Sequence, residues 1–368
     1  MRKDWEYKTL GEICDIYQPK TISNEMLVKG GKYPVYGANG TIGFYNSYNH
    51  IESEILLTCR GATCGTINVS QPYSWINGNA MVIHRKSDYL DFKFLYFLMK
   101  SLDYSLVING AAQPQITRAR LAPIKVAIPP KSTQLSIVSE LDNLNELIRI
   151  KKEQLKDYDT LAQSIFYEMF GDPVENEKGW EVKTFGEIGT LERGAGISKK
   201  DFVDDGLPCI HYGQLHTIFG AYTRNPITFI PKDLLPKYKI AHSGDLILAI
   251  TSEDVEGSCK STAWLGNFDV VVGSDAAIFH HNQNGIYLSY YTRTKAFYNE
   301  KAKYAKGFKV THISTKEIAS ISICIPPISI QNTFANKIEQ IEQQKAAIQK
   351  TITDLETLLA ARIQYWFD

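Results

Sequence analysis

The sequence predicts an α+β protein with an internal pseudo-twofold repeat, in which two α/β domains are joined by two long antiparallel coiled-coil helices. The first observation is a duplicated segment: WEYKTLGEI, starting at Trp5, matches WEVKTFGEI, starting at Trp180, at seven of nine positions. The two copies lie 175 residues apart, far beyond the roughly 20 to 50 residues of a solenoid repeat. Whole domains are therefore expected to be duplicated.

The far end of each copy also repeats. QITRARLAPIKVAIPP ends at Pro130 and HISTKEIASISICIPP ends at Pro327, so the apolar pattern recurs here with an offset of 197. This offset exceeds the first by 22 residues, which places the extra residues inside the second copy, where surface loops accept them at a small entropic cost. Runs such as YPVYG and GDLILAI, bounded by Gly, Asn and Pro, predict the strands of the two domains.

A heptad pattern follows each Pro-Pro pair. Apolar residues step by threes and fours, which predicts two long helices with a narrow coiled-coil seam. The predicted seam residues are Ile137, Leu141, Leu144, Ile148, Leu155, Phe334, Ile338, Ile341, Ile352 and Leu355. Ser132 and Ser329 are expected as N-caps, and Gly171 with Pro173 as the stop of the first helix. Because a domain separates the helices in sequence, an antiparallel pair is favoured over helices that each pack on their own domain.

These patterns divide the chain into four segments. A first α/β domain is expected over residues 1–131, followed by a long helix over 132–172. A second domain is expected over residues 173–327, followed by a second long helix over 328–368. The chain thus repeats one domain-and-helix unit twice.

Composition indicates a globular protein with uneven charge. The 368 residues are 44% hydrophobic and carry no net charge, but residues 1–131 contain 15 Lys and Arg against 10 Asp and Glu. That local excess favours an anionic partner weakly. The sequence has no signal peptide and no run of ~18 apolar residues, so a cytoplasmic protein is expected. The six cysteines follow neither a zinc spacing nor a disulfide scaffold, and free thiols are expected.

Catalytic motifs are absent from the sequence. There is no GxxxxGK[ST] phosphate loop, no HExxH or other metal-ligand spacing, and no Pro-Pro-aromatic methyltransferase motif. Glu6 and Lys8, with Glu181 and Lys183, match the ExK spacing of a Mg²⁺ nuclease, but alternation on a strand explains them without catalysis. A self-sufficient nuclease or methyltransferase is retained only as an alternative, and no catalytic or metal-binding residue is predicted.

Polar, glycine-rich loops provide the remaining candidates. Asn and Gln in such loops pair with adenine edges, Arg pairs with guanine, and Lys mostly holds phosphates. The candidate DNA-binding residues of the first domain are Lys32, Tyr36, Asn39, Arg60, Asn77, Asn79, Gln113, Gln115 and Arg118. Those of the second domain are Arg193, Lys199, Lys200, His211, Tyr212, Gln214, Arg224, Lys306 and Lys309.

Several of these segments together resemble a known family. The paired IPPKSTQ and IPPISIQ segments precede the long helices, MFGDP ends the first helix ahead of KGW, and YPVYGANG and CRGATCG lie in the first domain. In this combination, over nearly the whole chain, the sequence resembles the specificity subunits of type I restriction-modification enzymes.

The resemblance implies two target recognition domains that each read one half of a split duplex DNA sequence, with the coiled coil as a spacer of fixed length. It implies no cofactor in this chain and no membrane. The implied partners are two modification subunits, which methylate adenine at N6 with S-adenosylmethionine, and restriction subunits, which use ATP and Mg²⁺ to translocate and cut DNA. A coiled-coil interaction scaffold without DNA specificity is the competing hypothesis.

Overall fold

A computed structural model describes residues 4–110, 113–194, 196–197, 199–232, 238–305 and 311–368. The chain divides into two compact units. Unit 1 consists of Met1–Lys152 with Lys350–Asp368, and unit 2 consists of Glu153–Gln349. Each unit therefore contains one α/β domain together with one part of each long helix.

The first copy of the repeat contains nine strands and four α-helices among the described residues. The strands are β1 (Glu6–Thr9), β2 (Cys14–Tyr17), β3 (Tyr33–Gly37), β4 (Gly40–Tyr45), β5 (Ile55–Thr58), β6 (Ile67–Val69), β7 (Trp75–Ile76), β8 (Ala80–Arg85) and β9 (Lys125–Ile128). The helices are α1 (Leu10–Ile13), α2 (Phe92–Ser101), α3 (Arg118–Leu121) and α4 (Lys131–Phe170).

The second copy is larger. Its strands are β10 (Glu181–Thr184), β11 (Gly189–Arg193), β12 (Leu207–Ile210), β13 (Tyr222–Thr223), β14 (Thr228–Ile230), β15 (Lys239–Ala241), β16 (Leu246–Ala249), β17 (Thr251–Ser252), β18 (Ser261–Trp264), β19 (Val270–Val272), β20 (Ala276–His281), β21 (Thr311–His312) and β22 (Ser322–Ile325). Its helices are α5 (Phe185–Ile188), α6 (Tyr212–Thr217), α7 (Gly285–Tyr291), α8 (Lys295–Ala302), α9 (Thr315–Ala319) and α10 (Ile328–Phe367).

The two matched ends found in the sequence pair with each other in both copies. In unit 1, β1 runs antiparallel to β9 with Glu6 opposite Ile128, and in unit 2, β10 runs antiparallel to β22 with Glu181 opposite Ile325. The two registers differ by the sequence offsets of 175 and 197 found above. The duplication therefore extends from the sequence to the strand pairing, and the predicted fold class, including the internal repeat, is confirmed.

The central sheets of the two copies share one topology. In unit 1 the strand order is β2-β8-β5-β6, and a second sheet has the order β4-β3-β7. In unit 2 the corresponding orders are β11-β20-β16-β18-β13 and β14-β12-β19-β15. The fully buried strands β5 and β16 lie inside their sheets, as expected for continuous apolar runs.

Most of the extra residues in the second copy fall in one place. Val35 of β3 and Cys209 of β12 have equivalent strand partners, and their residue numbers differ by 174. Thr58 of β5 and Ala249 of β16 also have equivalent partners, but their residue numbers differ by 191. The 17 residues gained between these pairs include α6, and β13 in this region adds an edge strand beside β18. The insertion thus includes a short helix, α6, and a strand, β13, that extends the central sheet.

The long helices run antiparallel to each other in each unit. In unit 1, Glu140 near the start of α4 accepts hydrogen bonds from Arg362 and Trp366 near the end of α10. Further along α4, Lys152 pairs at 2.7 Å with Glu356, which precedes Arg362 in α10. The hydrogen bond from Arg362 lowers the pKa of Glu140 and keeps this carboxylate ionised.

Unit 2 repeats this antiparallel arrangement. Lys345 pairs with Asp159 at 2.7 Å, and the Phe166 ring packs on Phe334 with the ring centroids 5.6 Å apart. As the residue number rises along α4, the partner's number in α10 falls. Each helix has 40 residues, a length of roughly 60 Å. The antiparallel pair predicted from the heptads is confirmed, and the alternative, in which each helix packs only on its own domain, is excluded.

The predicted seam residues lie at different depths. The buried ones are Ile137, Leu141, Ile148, Phe334, Ile338, Ile341 and Ile352, and the half-buried ones are Leu144, Leu155 and Leu355. At its start each helix joins the core of its own domain: Ile137 and Leu141 pack in one cluster with α2, and Phe334 and Ile338 in another with α7. The helix pair and the domain thus share one continuous core in each unit.

The first long helix begins one residue earlier than the sequence predicted, and the second begins at Ile328 as predicted. The carbonyl oxygen of Pro130 accepts hydrogen bonds from the backbone N–H groups of Thr133 and Gln134, so Pro130 is the N-cap and the helix starts at Lys131. The assignment of Ser132 and Ser329 as N-caps is wrong, because both serines lie inside the first turn. A proline has no N–H to donate, but its carbonyl can still accept the first helical hydrogen bond.

Three further features of the chain concern its cysteines, metal binding and membrane spans. The six cysteines all lie within the described ranges and are free thiols. Among the residues that the structure describes, no group of His, Cys, Asp and Glu is arranged to hold a metal ion. Within the same part of the chain, no helix is long and apolar enough to span a membrane.

Replacing Phe166 with Ala tests the shared core of unit 2. The Phe166 ring contacts Phe170, Tyr287 and Phe334 with centroid distances of 5.0, 5.9 and 5.6 Å, so we expect the free energy of unfolding to fall by about 3 to 5 kcal/mol. Leu161→Ala is the control, because Leu161 is 46% exposed on the same helix and should change stability by about 0.5 kcal/mol or less. Equal losses in denaturant unfolding would contradict the shared core.

Candidate nucleic-acid interface

Five polar segments of unit 1 meet at one place. We call this group loop cluster 1. It consists of residues 18–21, 37–41, 59–66, 77–79 and the described part of 109–120. Four of these segments are the glycine-rich loops that the sequence singled out.

Hydrogen bonds join these segments directly. Cys59 donates its backbone N–H to Asn79 O at 3.3 Å and accepts at its own carbonyl from Ile116 N at 3.0 Å. The Thr63 hydroxyl donates to Asn39 Oδ1 in the turn between β3 and β4. The loops that carry the candidate residues are therefore held as one surface.

The segment 18–21 belongs to this surface, although the sequence analysis missed it. Gln18 Nε2 donates to Gly78 O at 2.9 Å, and Gly78 N donates to Thr21 Oγ1 at 3.0 Å. Gly78 has no space for a side chain, because an added Cβ would lie 2.7 Å from the carbonyl oxygen of Pro19. The only sequence signal was the polar run QPKT directly after the β2 strand.

The structure divides the first-domain candidates into three groups. Asn39, Arg60, Asn79, Gln113 and Arg118 are exposed in loop cluster 1, and Gln115 is half-buried there. Lys32 is exposed but precedes β3, at the opposite end of the strand from Asn39, where it lies over the Tyr33 ring at 5.2 Å. Lys32 is therefore outside loop cluster 1.

Two first-domain candidates are structural. Tyr36 is buried in the sheet core, and its hydroxyl accepts a hydrogen bond from Gln71 N at 3.0 Å. Asn77 is 4% exposed; its Oδ1 accepts from Ile22 N at 3.0 Å and its Nδ2 donates to Ile22 O at 3.2 Å. Because both side chains are engaged inside the domain, we withdraw Tyr36 and Asn77 as base-reading residues.

Loop cluster 1 is positively charged. Its segments contain Lys20, Arg60, Arg118 and Arg120, and none of them contains Asp or Glu. An acid-free surface with four cations attracts phosphates, and the interaction weakens as salt rises.

Unit 2 holds its own loops with equivalent hydrogen bonds. Ile250 donates its backbone N–H to Asp275 O at 3.0 Å and accepts at its carbonyl from Ile313 N at 3.1 Å. These atoms correspond to Cys59, Asn79 and Ile116 of unit 1 by the offsets of the surrounding strands. We call the segments 193–194, 196–197, 211–217, 250–260, 273–275 and 311–313 loop cluster 2.

The second-domain candidates are more dispersed than those of the first domain. Arg193 and Tyr212 are exposed in loop cluster 2, where Arg193 Nε donates to Ser274 O at 2.6 Å. His211 is half-buried against the Phe202 ring at 5.1 Å. Lys200 is exposed in the 3₁₀ turn two residues before Phe202. Arg193 and Tyr212 are thus the exposed candidates within loop cluster 2, whereas Lys200 lies outside its segments.

Two further candidates have other roles. Gln214 is buried; its Oε1 accepts from His211 N and its Nε2 donates to Thr228 Oγ1, each at 3.1 Å. Arg224 pairs with Glu339 of α10 at 2.7 Å and lies outside loop cluster 2. We therefore withdraw Gln214 and Arg224 as base-reading residues.

Three second-domain candidates lie beyond what the structure can place. Lys199 is described only for its backbone, in the turn Lys199–Asp201. Lys306 and Lys309 lie outside the described residues. All three stay predictions from the sequence.

Loop cluster 2 differs from loop cluster 1 in charge. It contains Glu253, Asp254, Glu256 and Asp275, whereas the equivalent loops of unit 1 contain no acid. Asp254 Oδ1 accepts from Gly257 N at 2.7 Å and shapes the turn between β17 and β18, and Glu253 is exposed beside it. The two surfaces thus have the same backbone connections and different side chains.

The Glu-Lys pairs considered as nuclease elements form ion pairs with each other. Lys8 Nζ lies 2.6 Å from Glu6, and Lys183 Nζ lies 3.2 Å from Glu181, on the exposed faces of β1 and β10. The hydrogen bond with Glu6 raises the pKa of Lys8. Strand alternation places each pair on one face of its strand, so the repeated ExK spacing has a structural explanation.

Asn77 and Asn79 give a matched test of the assignment within loop cluster 1. Asn77→Ala removes two buried hydrogen bonds to Ile22, and we expect it to lower the free energy of unfolding by about 1 to 3 kcal/mol. Asn79→Ala truncates an exposed side chain and should leave the melting temperature nearly unchanged. If the two variants melted together, the distinction between structural and surface asparagines would be wrong.

Comparisons with known proteins agree with this arrangement. The family described as "Type I restriction modification DNA specificity domain" matches residues 2–157 and 177–357. A putative type I restriction enzyme specificity subunit of Haemophilus influenzae is 23% identical over 92% of this chain and 87% of its own length. The MjaVIII specificity subunit of Methanocaldococcus jannaschii is 22% identical over 84% of this chain and 78% of its own.

Solved structures show the same fold. The type I restriction-modification S subunit from M. genitalium aligns with a TM-score of 0.58 at 13% identity, covering 100% of this chain and 97% of that one. A chain solved in a study of complex assembly and conformational transition of the type I R-M system aligns with a TM-score of 0.62 at 18% identity, covering 99% and 97%. The family match spans both copies of the repeat. The chain therefore belongs to the type I restriction-modification DNA specificity family, as a specificity subunit, the DNA-recognising and non-catalytic component of such a system.

Proposed function

We propose that the chain reads a duplex DNA target in two halves, with loop cluster 1 on one half and loop cluster 2 on the other. The observation that carries this proposal is the equivalence of the two clusters. Cys59 and Ile250 make matching backbone hydrogen bonds that assemble the loops, while the exposed side chains differ. One scaffold used twice with different side chains is the arrangement expected for two different half-sites.

Loop cluster 1 provides groups for both base edges and phosphates. Asn39, Asn79 and Gln113 are exposed amides, which pair bidentately with adenine, and Arg60 is an exposed guanidinium, which pairs with guanine O6 and N7. Each such pair discriminates against a wrong base by about 1 to 3 kcal/mol. Lys20 and Arg118 hold phosphates and fix the register of the domain on the duplex.

Loop cluster 2 reads its half-site with a different set of groups. Arg193 and Tyr212 are exposed donors on this surface, and Lys200 is exposed in the 3₁₀ turn before Phe202, whose ring contacts His211 of the cluster. Glu253 adds a carboxylate, and carboxylates accept hydrogen bonds from the amino group of cytosine. The acidic loop between β17 and β18 repels phosphate groups. It therefore favours contacts with bases over contacts with the DNA backbone.

The helix pair sets the distance between the two half-sites. Each helix is continuous over 40 residues, and each is stiffened by the buried seam that it shares with the other. Seven residues of helix correspond to roughly 10 Å, or about three base pairs. The length of the helix pair therefore sets the number of unspecified base pairs between the two half-sites.

The specificity subunit assembles with other subunits of its system and with DNA. The composition of that assembly is part of this proposal: two modification subunits, which methylate adenine at N6 with S-adenosylmethionine, and restriction subunits, which use ATP and Mg²⁺. The long helices carry the exposed apolar side chains Leu147, Ile150, Leu161 and Leu358, and we propose that these side chains contact the partner subunits. A cytoplasmic location, which gives the complex access to DNA, is also part of this proposal.

Replacing Arg60 with Gln tests base reading by loop cluster 1. In the complex assembled with the modification subunits of its own system, we expect Arg60→Gln to reduce the preference for the target over scrambled duplex by about 1 to 3 kcal/mol. Arg149→Gln is the charge-matched control, because Arg149 pairs with Glu146 on α4 at 2.6 Å. Equal target preference in both variants, measured by competition binding, would remove Arg60 from the interface.

Shortening the helix pair tests its role as a spacer. Deleting the facing heptads 148–154 and 350–356 removes the Lys152–Glu356 pair but keeps the heptad phase of both seams. We expect the preferred gap between half-sites to shorten by about three base pairs. Methylation of a duplex library with graded gaps measures this, and an unchanged optimum in a folded variant would refute the spacer.

A further inference from the structure

The glutamine of each IPPxSxQ segment is fully buried and joins three elements in both copies. Gln134 is 0% exposed; its Oε1 accepts from Asp91 N at 2.8 Å and its Nε2 donates to Pro129 O at 2.9 Å. Asp91 is the N-cap of α2, and Pro129 follows the end of β9. A single side chain therefore fixes the start of α4 to a helix and a strand of its own domain.

Unit 2 repeats the same contacts. Gln331 is 0% exposed; its Oε1 accepts from Asn284 N at 3.0 Å, and its Nε2 donates to Pro326 O at 2.8 Å and to Gln283 Oε1 at 2.8 Å. Asn284 caps α7 as Asp91 caps α2. We call each arrangement a glutamine clamp.

The clamp acts at the point where each long helix leaves its domain. Gln134 also donates its backbone N–H to Pro130 O at 3.0 Å, so one residue contacts the carbonyls of both prolines. Two consecutive prolines have fixed φ angles and no N–H groups, so the helix direction is set by the packing of Ile137 and Leu141 in the domain core and by buried hydrogen bonds such as these. The other polar ties near the start of α4, such as Lys93–Asp142, are exposed, and exposed ion pairs contribute little.

A small change of angle at this point has a large effect at the far end of the helix. Rotating a helix of roughly 60 Å by about 5° moves its other end by about 5 Å, more than the 3.4 Å rise of one base pair. Helix length alone therefore does not define a gap to one base pair. The angle at which each helix leaves its domain must also be fixed.

We infer that Gln134 and Gln331 are positioning residues that set the precision with which the complex measures the gap between half-sites. This inference rests on the proposed bipartite reading. The two residues touch no base in this scheme; they limit the angular freedom between each reading domain and its long helix. Their loss is therefore expected to broaden the range of accepted gaps without changing which half-sites are read.

The test uses the assembled complex and duplexes whose half-sites are separated by the optimal gap or by one base pair more or less. Gln134→Met and Gln331→Met keep the side-chain length but lose the buried hydrogen bonds. We expect methylation at the off-optimum gaps, relative to the optimum, to rise about fivefold in each variant, which corresponds to ~1 kcal/mol. Gln134→Asn, too short to reach both partners, is a second variant with a polar side chain.

Two controls separate positioning from general weakening. Gln163→Met and Gln340→Met change exposed glutamines on the same helices and should keep the sharp gap preference. Ile352→Val lowers stability at a buried seam position and should also keep it. Unchanged sharpness in the folded clamp variants, or equal broadening in Ile352→Val, would overturn the inference. If the native complex showed no gap preference at all, the bipartite proposal itself would fail instead.

Discussion

The structure depends on the apolar seam that joins two helices distant in sequence. Neither α4 nor α10 could stay helical alone in water over 40 residues with its apolar stripe exposed. The first turns of each helix are buried in its own domain, at Ile137 in α4 and at Phe334 in α10. The rest of each apolar stripe is buried against the other helix. The same burial gives each domain part of its core, so the helices and domains are stable only together.

Duplication explains how one chain combines a constant framework with variable surfaces. The framework is reproduced in detail: the β1–β9 and β10–β22 ribbons share a register, and their following helices begin with the same capping arrangement, in which Glu12 accepts from Thr9 and Glu187 from Thr184. The loops can diverge in sequence because equivalent backbone bonds of Cys59 and Ile250 connect them in both copies, and each cluster adds its own side-chain hydrogen bonds to this shared set. Specificity can thus change while the fold is kept.

The sequence predicted the elements whose signals are periodic or repeated, and missed those that depend on contacts across the fold. Heptad spacing was sufficient for the helix pair, since a 3.5-residue period has one structural meaning. The polar character of the loops was insufficient to classify Asn77 and Gln214. Surface amides occur in the same kind of loop, but these two side chains are buried and hydrogen-bonded to Ile22 and Thr228. Residues 18–21 were not predicted as part of the surface, because only a tertiary contact, the hydrogen bond from Gln18 to Gly78, brings them there.

We propose that one chain reads two separate half-sites of duplex DNA at a distance fixed by its helices. The most direct measurement maps methylated adenines across DNA from cells that express the complete system. We expect a single bipartite motif, with two defined segments separated by a constant number of unspecified base pairs. A single uninterrupted motif, or two segments separated by a variable gap, would contradict it.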